Sequence, residues 1–168
     1  MKKHIIVING QGGCGKDTIC EIVGKHYNII NVSSIDPIKR AANYLGWNNT
    51  KDDKSRKFLH DLKMLSTEFN DYAMQYVIGE ISFFVNMCMH KIMFIHIREP
   101  KEIDRLKSLC DYNIETLLIK RGDDRVFGNE ADDEVNNYTY DYVYINDKSL
   151  DELESDFIRW FRENIKDD

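Results

Sequence analysis

The stretch Ile5-Ile6-Val7-Ile8-Asn9-Gly10-Gln11-Gly12-Gly13-Cys14-Gly15-Lys16-Asp17-Thr18 decides how this chain folds. A short apolar run leads into a loop holding four glycines, and residues from Thr18 to His26 continue as a helix. A polyphosphate needs several backbone N–H groups aimed at one point, and Gly10, Gly12, Gly13 and Gly15 remove the Cβ atoms that would stand in the way. The helix that begins near Lys16 adds the positive end of its dipole and its unpaired first-turn N–H groups. Lys16 supplies a mobile point charge for the β- and γ-phosphates of a nucleoside triphosphate. The expected donor-nucleotide contacts are therefore Gly10, Gln11, Gly12, Gly13, Cys14, Gly15, Lys16, Asp17 and Thr18. The plain alternative is a glycine-rich turn with no ligand.

The residue after the lysine is Asp17, where the usual pattern has the hydroxyl that meets Mg²⁺, and the hydroxyl comes one step later at Thr18. Either the Asp17 carboxylate, directly or through water, or Thr18 then faces the ion. A carboxylate beside a triphosphate is repulsive unless a cation lies between them, so binding is expected to depend strongly on Mg²⁺.

Working outward, 168 residues suit one domain, and 42% hydrophobic with 31% charged residues suit a globular protein. With 29 acidic against 23 basic residues the net charge is -6, which disfavours broad attraction to nucleic acid or anionic lipid. The greasiest stretch, Ile81 to Ile95, is broken by Ser82, Asn86, His90 and Lys91, so no membrane span is expected. A cytoplasmic protein with reduced thiols at Cys14, Cys20, Cys88 and Cys110 is the consistent reading. Cys14, inside the loop beside Lys16, is either a reactive thiol of lowered pKa or a small filler.

Beyond the first helix, residues 28–32 predict a second strand that ends at Ser33-Ser34. Asp36 as cap and Pro37 at the first turn open a helix that stops at Gly46. Phe58, Leu62, Leu65 and Phe69 recur at helical spacing, with Arg56, His60 and Lys63 on other faces. Met74, Val77, Ile81, Phe84 and Cys88 form the buried stripe of the next helix. Residues 91–97 form a strand, followed by Arg98-Glu99-Pro100 and a helix with Ile103, Leu106 and Leu109. Strands over 115–120 and 142–145 follow, and Ser149-Leu150-Asp151-Glu152 makes a capping box for a last helix with the stripe Leu150, Leu153, Phe157 and Trp160. Continuous apolar strands alternating with helices mean a five-stranded parallel sheet with helices on both faces. Ligands then bind at the carboxyl ends of the strands, where Ser33, Ser34, Arg98, Asn146 and Asp147 also fall. The polar stretch 121–138 is long for a connector, and Arg121, Arg125 and Asn129 could close over a triphosphate as a lid; a solvated acidic loop is the other reading.

These residues resemble those of the P-loop nucleoside monophosphate kinases, and most closely the phage-type deoxynucleoside monophosphate kinases. The matches are Cys14-Gly15-Lys16-Asp17-Thr18, Pro37-Ile38-Lys39 opening a helix after strand two, Arg98 with Glu102 four residues on, and the run from Tyr140 to Asp147 with Ser149-Leu150-Asp151-Glu152-Leu153 behind it. The resemblance implies a three-layer P-loop kinase fold in a single domain over 1–168, with 35–90 as a helical acceptor-side region and 121–138 as a lid-like loop. It also implies ATP as phosphoryl donor, Mg²⁺ at Asp17 or Thr18, and Asn146 and Asp147 on the base side of the ATP. Lys16, Arg98, Arg121 and Arg125 would stabilise the transferring phosphoryl group, and Ser34, Lys39, Arg56 and Lys63 would hold an acceptor. The chain departs from that pattern in its shorter segment between strands two and three and in His96, which stands where the family tends to carry an acid. The expected function is ATP-dependent phosphorylation of a nucleoside or deoxynucleoside monophosphate. The alternatives are a kinase of another small metabolite, of the dephospho-coenzyme A kind, or an ATP-binding sensor that has lost transfer.

Overall fold

Apolar strands and amphipathic helices alternate in space as they do along the chain. The computed structural model describes residues 2–122 and 135–165. In order these form β1 (His4–Asn9), α1 (Lys16–His26), β2 (Ile29–Ser33), α2 (Asp36–Tyr44), α3 (Asp53–Asn70), α4 (Tyr72–Met87), β3 (Ile92–His96), α5 (Pro100–Leu109), β4 (Ile114–Arg121), β5 (Tyr142–Asn146) and α6 (Leu150–Asn164). The strands make one sheet in the order β2-β3-β1-β4-β5, with every neighbouring pair parallel.

The two-residue strand period splits the core into two layers. Ile6 and Ile8 of β1, with Phe94, Leu117, Ile119 and Tyr144, pack against Ile19 and Val23 of α1 and against Leu153, Phe157 and Phe161 of α6. Ile5 and Val7 point the other way, with Met93 and Ile95, onto Met74, Val77, Ile81 and Phe84 of α4 and Ile103 and Leu106 of α5. β1 is hydrogen-bonded on both sides and covered on both faces, which is why it reads as an unbroken apolar run. Among the described residues no helix is long and apolar enough to cross a membrane.

Several sequence expectations need correction. In α3 the stripe does not become a buried face: Leu65 is exposed, Phe69 is 88% exposed, and Ser55 is the one fully buried residue of that helix. The reason is placement, because α3 packs mainly on α2 and α4. In α6 the buried face is Leu153, Phe157, Ile158 and Phe161, while Leu150 is 80% exposed and Trp160 is half-buried. The Ser149 hydroxyl donates to the Glu152 carboxylate at 2.8 Å and makes no bond to a helical N–H, so the capping box is not closed. Asp36 lies within the first turn of α2, and its carboxylate accepts from the Ser33 N–H at 2.8 Å. The edge strand β5 is covered on one face: Tyr144 stacks edge-on against Phe157 of α6, while Val143 and Ile145 remain exposed.

Candidate active site

β1 ends at the centre of the sheet, and the glycine loop turns from it into α1. Gly10 leaves the strand at φ 147° and Gly15 enters the helix at φ 99°. A Cβ at Gly10 would press on the Ile119 carbonyl and come within 2.6 Å of Cys14 Sγ, and one at Gly15 would strike the Asn146 amide. Both positions therefore require glycine by backbone angle and by space. The loop is braced from β4 and β5: Arg121 Nη1 donates to the Gly13 carbonyl at 2.9 Å and Asn146 Nδ2 to the Cys14 carbonyl at 2.9 Å. Lys16 Nζ reaches back to the carbonyls of Gly10 (2.6 Å) and Gln11 (3.0 Å), with Cys14 Sγ at 3.6 Å. Asp147 stands next to this brace and pairs with Lys148 at 3.1 Å.

In the first turn of α1 Asp17 is exposed and Thr18 half-buried. A carboxylate and a hydroxyl oxygen within one turn of the loop match the hard-oxygen ligands that Mg²⁺ takes beside phosphate oxygens. Bound there, Mg²⁺ would neutralise charge on the β- and γ-phosphates.

Beside the loop lies a cleft of about 400 Å³ at the carboxyl ends of β1, β2 and β3. Lys16 reaches it from the loop, Ser33 and Ser34 from the end of β2, His96 and Arg98 from the end of β3, and Arg56, His60 and Lys63 from α3. Thus the polar side of α3, not its apolar stripe, faces the site. Ser34 is tied to the His96 carbonyl through its N–H at 3.3 Å. Lys63 pairs with Glu99 at 3.0 Å, whereas Arg56 pairs with Asp53 on its own helix and stays largely exposed. Burial opposes ionisation of Glu99, but the charge and hydrogen bond of Lys63, with Arg98, outweigh it and leave its pKa below the ordinary value. Lys39 is not in this cleft: it lines a hollow of about 290 Å³ with Asp17, Asn31, Asp36 and His96, and His96 belongs to the wall of both. Arg125 and Asn129 lie outside the described residues, as does the stretch 123–134 of the expected lid.

At the end of β3 the His96 imidazole has its Nε2 3.5 Å from Asn31 Oδ1 and 3.9 Å from Cys20 Sγ. Burial lowers its pKa below the ordinary 6.5; Asp17 opposes the shift and Lys16 adds to it. The unfolded chain therefore binds this proton more readily, so stability is full above about 6.5 and falls as pH drops from there toward the folded value. His96→Gln is expected to flatten that part of the profile. Urea unfolding of both proteins across this range checks it, and parallel profiles would refute it.

The two buried thiols differ in surroundings. Burial pushes Cys20 up to about 12, and Cys14 is the filler between Gly10 and Lys16, 2% exposed. Labelling of the native protein with a bulky disulfide reagent is expected to modify Cys88 and Cys110 well before Cys14 and Cys20. Peptide mass mapping reads the order, and early loss of Cys14 would restore the reactive-thiol reading.

Sequence reasoning passed over Asn9, His60 and Glu99. Asn9 could have been noticed as a polar residue closing an apolar strand next to Gly10; nothing in the sequence pairs Glu99 with Lys63, 36 residues away.

No protein-family model and no curated protein matches the chain. Solved structures do: a candidate kinase from Chloroflexus aurantiacus (10% identity, 99% of this chain and 100% of that one, TM-score 0.53) and a sugar kinase from Janibacter sp. HTCC2649 (11%, 98% and 95%, 0.52). A third is TT1252 from Thermus thermophilus, at 16% identity over 97% of this chain and 98% of that one, with a TM-score of 0.54. The chain has a P-loop kinase fold. At these identities the likeness concerns the fold, and it extends over nearly the whole length of each partner.

Proposed function

We propose that this protein is an ATP-dependent phosphotransferase that converts a nucleoside or deoxynucleoside monophosphate to the diphosphate. One observation carries the reading: Lys16 of the glycine loop opens into the same cleft as Arg56, Lys63 and Arg98. Cations from two sides of one cleft suit two phosphorylated ligands meeting end to end. The loop N–H groups and the start of α1 hold the donor phosphates. Lys16 leaves the Gly10 and Gln11 carbonyls to follow the charge on the migrating phosphoryl group, and Arg98 and Arg121 offset charge on its equatorial oxygens. Arg56 and Lys63, with Ser34, hold the acceptor phosphate, and Lys39 lines the neighbouring hollow with Asp17. An acceptor phosphate is already ionised near neutral pH, so in-line attack needs no strong base.

The test is ADP release from Mg-ATP against a panel of ribo- and deoxyribonucleoside monophosphates. Release that requires one particular monophosphate supports the reading. Release with another phosphate- or hydroxyl-bearing metabolite only would move the acceptor to that class, and tight ATP binding with no acceptor-dependent release would favour a sensor.

A further inference from the structure

Asn9 sits where two parts of the cleft are joined by a single side chain. It is 2% exposed, yet it closes a strand directly after the four apolar residues Ile5 to Ile8. Its Oδ1 accepts from the Gly10 N–H at 2.8 Å, and its Nδ2 donates to the Arg98 carbonyl at 2.9 Å and to the Tyr140 hydroxyl at 3.0 Å. The amide cannot be turned over, because the Gly10 N–H only donates and the Arg98 carbonyl only accepts. We propose that Asn9 is a positioning residue that keeps the donor loop and Arg98 in register, a role that rests on the phosphotransfer reading above.

The geometry follows from the sheet. β1 and β3 are neighbours with Ile8 level with His96, so the residue after Ile8 comes beside the backbone that leaves β3 toward Arg98. Gly10 is the first peptide of the loop, held at φ 147°. An apolar side chain at residue 9 would leave the Gly10 N–H and the Arg98 carbonyl without this shared partner. Tyr140 is the fixed end of the arrangement: burial pushes its phenol up to about 12, so it stays neutral, and its ring meets Tyr138 edge-on at 5.0 Å. Tyr138 in turn donates to Asp104 of α5 at 2.8 Å. Asn9 touches both reacting halves through backbone atoms and needs no contact with phosphate.

The experiment uses the full chain with Asn9→Ala, Tyr140→Phe, Arg98→Ala and the two double variants of Arg98→Ala. Mg-ATP affinity is read by calorimetry without acceptor, kcat and KM with the acceptor found by the panel, and Tm by circular dichroism. Asn9→Ala is expected to weaken Mg-ATP binding by about tenfold and to lower kcat by about a hundredfold. In the Arg98→Ala background its effect on kcat should shrink to about tenfold, because the part passing through Arg98 is already gone. Tyr140→Phe, which keeps the ring and its contact with Tyr138, should lower kcat about threefold, and this loss should vanish beside Arg98→Ala. A lowered Tm with Mg-ATP affinity and kcat within about twofold of wild type would reduce Asn9 to a fold-holding residue and overturn the proposal, as would full additivity with Arg98→Ala. If Asn9→Ala does not fold, the Tyr140→Phe cycle decides by the same criterion. Should wild type bind Mg-ATP but turn over no acceptor, the phosphotransfer reading fails by itself. The calorimetric arm then decides for the loop, where unchanged affinity in Asn9→Ala overturns the proposal.

Discussion

Lys16→Met is expected to lower acceptor-dependent ADP formation by about 10²–10³-fold while moving Tm by less than about 3 °C. The two effects separate because of where Nζ is. In the free protein it bonds the Gly10 and Gln11 carbonyls at 2.6 and 3.0 Å, and the side chain is half-buried at a cleft open to water. Methionine keeps the stem and its packing, and water can take over those carbonyls, so folding loses about 1 kcal/mol or less. During transfer no water molecule can do what a fixed ammonium does for charge that develops on phosphoryl oxygens, and the barrier rises by the full value of that contact. Steady-state kinetics beside a thermal melt reads both numbers. Unchanged kcat with a folded protein would remove Lys16 from the chemistry, and with it the central claim of the proposed function.

Gly10→Ala should produce the opposite balance, a loss of about 2–4 kcal/mol in stability, which is a Tm lower by about 5–15 °C, together with loss of Mg-ATP binding. Two independent strains add at this residue. Its φ of 147° is one that an L side chain rarely adopts, and the new methyl would meet the Ile119 carbonyl of β4, which is backbone and cannot move aside without shifting the strand. Relief is available only by pulling the first loop peptide away from β4, which also breaks the 2.8 Å bond from its N–H to Asn9. Gly12 is the control: nothing lies within 4 Å of a Cβ there and its φ is not positive, so Gly12→Ala should leave Tm within about 3 °C of wild type. Equal Tm for the two variants would show that the loop at Gly10 is looser than its contacts indicate.

The elements that could be read from residue order were those whose pattern has a single physical explanation. An unbroken apolar run before four glycines admits a buried strand and little else, and the stripe Met74, Val77, Ile81 and Phe84 is buried as its spacing requires, while Cys88, its expected end, is half-buried just beyond α4. Spacing says which residues share a face; it does not say what that face meets. The stripe of α3 and the start of that of α6 show the difference, since Leu65, Phe69 and Leu150 share the periodicity of buried residues and stand in solvent. Residue type was legible in the same way, and what the structure adds is placement. Lys16, Arg56, Lys63 and Arg98 were singled out as cations able to face phosphate, and all four line one cleft. Lys39, which the resemblance implies for the acceptor, lines the neighbouring hollow with Asp17 instead.

What the sequence determined by itself is therefore local: the strand, the glycine loop and the helix after it, the alternation that makes a parallel sheet, and the cationic character of the site. These depend on backbone angles and periodicities confined to a few neighbouring residues. The tertiary structure alone decided the partners. The strand order puts β1 between β3 and β4, so Asn9 meets Arg98 across 89 residues, Asn146 braces Cys14 across 132, and Arg121 reaches Gly13 across 108. Such contacts are set by which strand lies beside which, a choice made by the packing of the whole core and carried by no single segment of the chain.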